Sequence, residues 1–330
     1  MPPSVHNKHC QDMATSDRPA RMEGYYNLRM FRDLVKNRGL YTMAIPGIIF
    51  LVVFSYIPLS GHLLAFKDFQ ISKGIWGSDW VGLDNFRFFF SNRDWIQVTV
   101  NTVYLNALFI IFEMVFALLI ALFLNEIRLK WFKRTIQSVV FLPYFISWVV
   151  VGYMTFILFN NTDGLINRVL SMSGLQSVDW YQTPWVWPII LTLTRIWKSA
   201  GYYSIILLAA ITGFSSDYYE SARLDGATRL QQMKYITLPL LKPQIIILVL
   251  LGVGRIFYGD FGMIYGIIGD NGILFPTTDV IDTYSYRALR QLGNFSMSSA
   301  IVFYQSIMGL IAVVSFNALV RKIDKDSRLF

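Results

Sequence analysis

The sequence predicts an all-α membrane protein, with six transmembrane helices and a polar cytoplasmic loop between the fourth and the fifth. Three observations predict it. Of the 330 residues, 54% are hydrophobic and only 15% charged, a composition too apolar for an ordinary soluble domain. Six stretches each hold about the 20 apolar residues that a helix rising ~1.5 Å per residue needs to cross a hydrocarbon core roughly 30 Å thick. The lysines and arginines between those stretches gather on one side, the pattern that marks the cytoplasmic face of multi-span proteins.

In chain order, residues 1–40 form an N-terminal segment, polar and irregular up to about Gly24. No apolar h-region precedes residue 40, so the expectation is an uncleaved first span and not a removed signal peptide. Residues 41–320 form the transmembrane domain. Its spans are expected at Thr42–Phe66, Val98–Leu124, Ser138–Phe159, Val186–Ile211, Gln244–Ile268 and Ser298–Val320. Residues 321–330 remain as a C-terminal tail. One side of this arrangement carries seven Lys and Arg ahead of the first span, four from Arg128 to Arg134, four from Arg223 to Lys242 and four after Val320, against seven on the other side. Both termini and the loop 213–243 are therefore expected in the cytoplasm. The net charge of +8 is then mainly a topology signal, with lipid and not nucleic acid as the surrounding partner. A single cysteine, Cys10, excludes an internal disulfide, and with only His6, His9 and His62 beside it no metal site is expected.

The loop 213–243 reads as a soluble docking element stranded in a membrane protein. Tyr218 to Leu224 suit a short helix with Asp217 or Ser216 as its N-cap. Gly226 ends it, because glycine reaches left-handed backbone angles without a steric penalty. A second helix from Thr228 to about Ile236 should stop near Leu238, since Pro239 restricts its predecessor and lacks an amide donor. In the resulting amphipathic knob, Tyr219, Ala222, Leu224, Ala227 and Met233 suit the groove of a partner, and Glu220 and Asp225 suit its basic residues. A helix that merely rests on the bilayer is the alternative.

Glu220, Ala222, Gly226, Ile236, Leu238 and Pro239 fall at the spacing of the Glu-Ala-Ala loop of permease subunits in binding-protein-dependent ABC importers. The chain resembles the type I group of these permeases, which includes the maltose permeases. Ser221 departs from the alanine common there, but serine is nearly as small. Tyr56-Ile57-Pro58, Ala65-Phe66-Lys67-Asp68-Phe69 and Trp80-Val81-Gly82-Leu83-Asp84-Asn85-Phe86 resemble the oligosaccharide and polysaccharide branch. The resemblance implies that the knob is a coupling helix seated in a separate ATPase, with Glu220, Ser221, Ala222, Asp225, Gly226, Ile236, Leu238 and Pro239 at the mechanical joint. It also implies a second homologous permease as a heterodimeric partner, two ABC ATPases, an extracytoplasmic solute-binding protein and a bacterial inner-membrane location. The cargo it implies is an oligosaccharide or polysaccharide, with an acidic, alginate-like chain as the narrower expectation. The chain has no Gly-x-x-x-x-Gly-Lys-Ser/Thr phosphate loop, so it is expected to be no enzyme and to hold no cofactor. ATP and Mg are then expected in the partner ATPase.

A charge retained within a span costs roughly 2.5–3.5 kcal/mol on insertion scales, so such charges face protein or a water-filled path. Arg195 and Lys198 lie three residues apart on one helix face. Two readings stand for them. They line the path and attract acidic sugars such as uronates, or they pair with Glu113, Asp260 or the second permease. Tyr144, Trp148, Trp197, Tyr202, Tyr203, Tyr258 and Tyr304 offer rings to the C–H faces of a sugar, with packing as their default role. The long, mixed-charge loop from Lys67 to Arg93 suits a soluble binding protein. Rival functions are an ABC permease for an amino acid, peptide or polyamine, and an ion-coupled secondary transporter. The second would show a midplane carboxylate site and internal repeats, and the knob argues against it.

Overall fold

The computed structural model describes residues 36–91 and 93–323, and the chain divides into two compact units, 1–60 and 61–330. In the first unit, helix α1 (Arg38–Leu51) runs into one wider π turn, Val52–Tyr56. None of its residues is buried, and Met43 is 81% exposed. A tight 3₁₀ helix, Ile57–Phe66, follows in sequence, with Pro58 and Gly61 inside it.

The second unit opens with a two-residue hairpin, β1 (Lys67–Asp68) antiparallel to β2 (Asp79–Trp80). Lys67 is buried beneath it, its ammonium 4.9 Å from the Trp80 ring centre and donating to the Ile75 and Trp76 carbonyls. Lys73 bonds Asp79 at 2.8 Å, and that hydrogen bond, followed by the lysine charge, holds the Asp79 carboxyl below its ordinary range. Next come α2 (Asp84–Ser91), the 33-residue α3 (Asp94–Glu126), α4 (Lys130–Phe141), α5 (Trp148–Phe159), α6 (Leu165–Met172) and the 26-residue α7 (Trp187–Thr212). They are followed by α8 (Ser216–Leu224), α9 (Leu238–Val253), α10 (Phe261–Ile268), α11 (Ile281–Arg290) and α12 (Phe295–Ile323).

The core runs along the seam of α3 and α7. At one end Leu105, Phe109, Trp187 and Leu191 meet Val151 and Met263; at the other Ala117, Ala121, Leu207 and Ile211 meet Leu241. A third cluster joins Phe89, Val98, Ile281 and Ile301. Without water inside a bilayer, helices gain mainly from close packing, so small residues mark the crossings. A Cβ on Gly201 would lie 2.0 Å from the Val140 carbonyl oxygen, and one on Gly152 2.0 Å from that of Gly266. Gly201→Leu is expected to cost about 1–3 kcal/mol by overpacking, read as a lower melting temperature of the purified protein. Gly213→Ala, whose Cβ meets nothing closer than 3.4 Å, is the control.

Among the described residues four helical stretches are long and apolar enough to cross a membrane: Arg38–Phe66, Asp94–Glu126, Arg229–Val253 and Phe295–Arg321. Two bent pairs bring the number to six, Lys130–Phe145 with Trp148–Phe159 at 98° and Pro184–Thr212 with Ser216–Leu224 at 70°. The expected third span, Ser138–Phe159, is therefore not one rod. Pro143 lacks a donor, the helix decays into a 3₁₀ turn over Leu142–Phe145, and Ser147 caps a new helix by accepting from the Val150 amide. The expected fifth span, Gln244–Ile268, is likewise split: α9 stops at Val253, and Asp260 caps α10 by accepting from the Met263 amide. The second helix of the knob does not stop near Leu238. A π turn, Met233–Thr237, absorbs the donor that Pro239 lacks, because the Leu238 amide reaches back to the Met233 carbonyl, and the helix continues into α9.

Candidate functional site

The knob is helix α8. Its N-cap is Ser215, whose side chain accepts from the Asp217 amide, and not the Asp217 or Ser216 expected from the sequence. Its exit is a Schellman turn. The Gly226 amide donates to the Arg223 carbonyl and the Ala227 amide to that of Ala222, with Gly226 at φ 79°. Thr228 and Gln231 then form a capping box that starts the next helix. Glu220, Ser221, Asp225, Gly226 and Pro239 are exposed, while Ala222, Ile236 and Leu238 are half-buried.

Two of the apolar residues expected to face a partner turn inward. The Tyr219 hydroxyl sits 3.1 Å from that of Thr237, and Met233 packs against the core around Leu207 and Leu241. Leu224 does face out, 90% exposed, and is joined by Tyr218, Leu230 and Tyr235. A groove of about 610 Å³ on this surface is lined by Tyr218, Ser221, Ala222, Asp225, Ile236 and Pro239. Five of the eight residues assigned to the joint thus share one groove.

A second feature lies where α9 breaks. A cavity of about 800 Å³ is bounded by residues of α3, α7 and the segment 252–261, including Glu113, Arg195, Tyr202, Tyr203, Arg255, Tyr258 and Asp260. Arg195 bonds Asp260 at 2.6 Å and contacts Glu113 at 3.5 Å. Glu113 Oε1 has no hydrogen-bond partner. The broken backbone is held by side chains: Asn106 donates to the Ile256 and Tyr258 carbonyls, Gln305 to that of Phe257, and Asp282 accepts from the Gly259 amide at 2.6 Å. Irregular backbone at membrane depth persists only where its polar groups are met in this way.

The structure separates the two cations that the sequence paired. Arg195 bridges Glu113 and Asp260 and also lines the cavity. Lys198 turns to the break between α4 and α5 and donates to the carbonyls of Pro143, Tyr144 and Ile146 at 3.3, 2.7 and 2.6 Å, with the Trp148 ring 5.1 Å away. Three residues advance a helix by about 300°, leaving a difference of roughly 60° between the side chains, enough to send them to different targets. Of the aromatic candidates, Tyr202, Tyr203 and Tyr258 line the cavity, and Tyr144 stacks on Tyr202 with ring centres 4.5 Å apart. Trp197 lines a separate apolar cavity of about 380 Å³ beside Val151 and Leu193. Tyr304 bonds Thr99 near Phe89. Arg255 lines the cavity without having been among the sequence candidates, and its signal is a charge between Gly254 and Gly259 inside an apolar stretch.

Comparison with known proteins fits these features. Protein LplB of Bacillus subtilis is 35% identical over 294 residues, covering 89% of this chain and 92% of that protein. The polygalacturonan/rhamnogalacturonan transport system permease protein YteP of the same organism is 36% identical over 299 residues, with 90% and 92% covered. Crystal structures of a bacterial ABC transporter that imports the acidic polysaccharide alginate, one in complex with an alginate pentasaccharide-bound periplasmic protein, contain a chain of the same fold. It superposes with a TM-score of 0.81 at 33% identity, covering 90% of this chain and 99% of that one. Residues 113–326, which hold the knob and most of the cavity wall, match the family described as the binding-protein-dependent transport system inner membrane component. The chain belongs to that family of transport permeases.

Proposed function

We propose that this chain is one membrane-embedded half of an ATP-driven importer for an oligosaccharide, of the acidic kind that the alginate and polygalacturonan transporters carry. It works with a second homologous permease, two ATPases that hold ATP and Mg, and a solute-binding protein outside the membrane. Both termini and α8 face the cytoplasm. The observation that carries this reading is α8: a short helix set at 70° to α7, with none of its residues buried in the chain. An exposed amphipathic helix of this kind is a ready ligand for a groove in a partner.

Its Schellman exit and capping box fix its direction relative to the helix that continues through Leu238 into the cavity wall. A push on Glu220 to Gly226 therefore reaches the 252–261 segment through one unbroken helix, Arg229–Val253. The test is uptake of a galacturonate or alginate oligosaccharide into proteoliposomes that hold the purified assembly and its binding protein. ATP-dependent uptake that stops when the ATPase subunit is left out is expected. Uptake that survives that omission and collapses with an ionophore would instead assign ion-coupled transport. Selective uptake of an amino acid, peptide or polyamine would assign a different cargo.

A further inference from the structure

We propose that Arg255 is the residue that selects a carboxylated sugar in the cavity at the break of α9, an inference that rests on the saccharide-import reading above. The argument is a count of charge on the cavity wall. Its charged side chains are Glu113, Asp260, Arg195 and Arg255. Arg195 lies between the two carboxylates, at 3.5 Å from one and 2.6 Å from the other, and its charge is spent within the wall. Lys198, the other cation of α7, is buried against three carbonyls of the α4–α5 break and does not line the cavity.

Arg255 differs from both. It is exposed to the cavity, and no ion pair or side-chain hydrogen bond engages its guanidinium among the described residues. Its backbone is pinned: the Arg255 amide donates to the Gly252 carbonyl, and its own carbonyl accepts from the Tyr258 amide, both at 2.9 Å. The side chain therefore projects from a fixed turn in the wall that Tyr258 also lines.

The Arg195 cluster keeps one excess negative charge, so the wall as a whole is neutral, with its positive pole at Arg255. Such a wall orients an acidic guest and binds its carboxylate at the positive pole. A uronate places its carboxylate against the planar donor fork of Arg255, which matches carboxylate geometry. A volume of about 800 Å³ lies within the range of small-molecule sites. A carboxylate of the neighbouring permease offers the same chemistry, and the experiment separates the two sources.

The purified transporter, assembled from both permeases and the ATPases but without the binding protein, is titrated with galacturonate trisaccharide and with its carboxyl-reduced, neutral counterpart. The native assembly is expected to bind the acidic sugar on the order of tenfold more tightly, with Arg255→Gln removing that preference and Arg255→Lys keeping part of it. Arg255→Gln that retains the full preference overturns the proposal, as does a native assembly that imports both sugars yet binds them equally. Arg255→Gln that instead dissociates the two permeases on size exclusion assigns the guanidinium to a subunit contact and also overturns it. Failure of the underlying reading shows elsewhere, as a native assembly that imports neither sugar in the uptake assay.

Discussion

Arg195→Met is expected to be the most destabilising single substitution in the cavity wall, by about 3–5 kcal/mol, the range for removing one partner of a buried ion pair. The cost comes from what remains. Glu113 has a side chain only 8% exposed, and without Arg195 it keeps a charge with neither counterion nor hydrogen-bond donor on Oε1. Asp260 is 28% exposed and better screened, so it contributes the smaller part. The triple variant Arg195→Met, Glu113→Gln, Asp260→Asn removes all three charges and should recover most of the lost melting temperature, because replacing a whole buried cluster is far milder than orphaning half of it. Melting curves of the single and triple variants in one detergent decide this. Equal melting of native and single variant would remove the cluster as a stabilising unit.

The cluster matters because of where it acts. Asp260 caps α10, Arg195 sits midway along α7, and Glu113 sits on α3, so three ionised groups tie the broken span to the central helix pair. Lys198 does the same for the other break, donating to three carbonyls where α4 decays before α5. The membrane interior offers no water to these groups, so each break needs its own donors. This explains why two cations sit in one helix at a depth where charge is costly.

Much of the architecture could be read from the sequence. The span Val186–Ile211 is matched by Trp187–Thr212, and Val98–Leu124 lies inside Asp94–Glu126, because a continuous helix needs only apolar length and the absence of breakers. Both breaks escaped, since hydropathy records how apolar a stretch is and not how its backbone is bonded. Pro143 and the Gly252, Gly254 and Gly259 series were visible, yet whether a proline kinks or ends a helix depends on donors from distant residues such as Lys198 and Asn106. Pro239 misled in the opposite direction, because a π turn can absorb one missing donor. At the knob the spacing of Glu220, Gly226 and Pro239 was local and so could be read directly. At the cavity the pairing of Arg195 with Asp260, 65 residues away, stood in the sequence only as one of two readings, because no periodicity connects the two residues and chooses between them.

Loss of transport is the outcome expected at the knob, by two different routes. Glu220→Ala removes an exposed carboxylate from the helix proposed to enter the ATPase. If Glu220 is an interface hot spot, truncation costs at least about 2 kcal/mol, roughly thirtyfold in ATPase affinity. Gly226→Val acts differently. The backbone at φ 79° places a β-branched residue in the left-handed region at about 1–2 kcal/mol, although a Cβ there meets no atom within 4 Å. Its effect is therefore conformational: the Schellman turn opens, and α8 loses its fixed direction relative to the helix leading to the cavity. Co-purification with the ATPase and sugar uptake in proteoliposomes separate the two effects. Glu220→Ala should weaken ATPase retention, whereas Gly226→Val should keep more of the ATPase yet lose uptake out of proportion. Full uptake by both variants would mean that α8 does not transmit the force, and the part assigned to Arg229–Val253 as the rod between ATPase and cavity would fall with it.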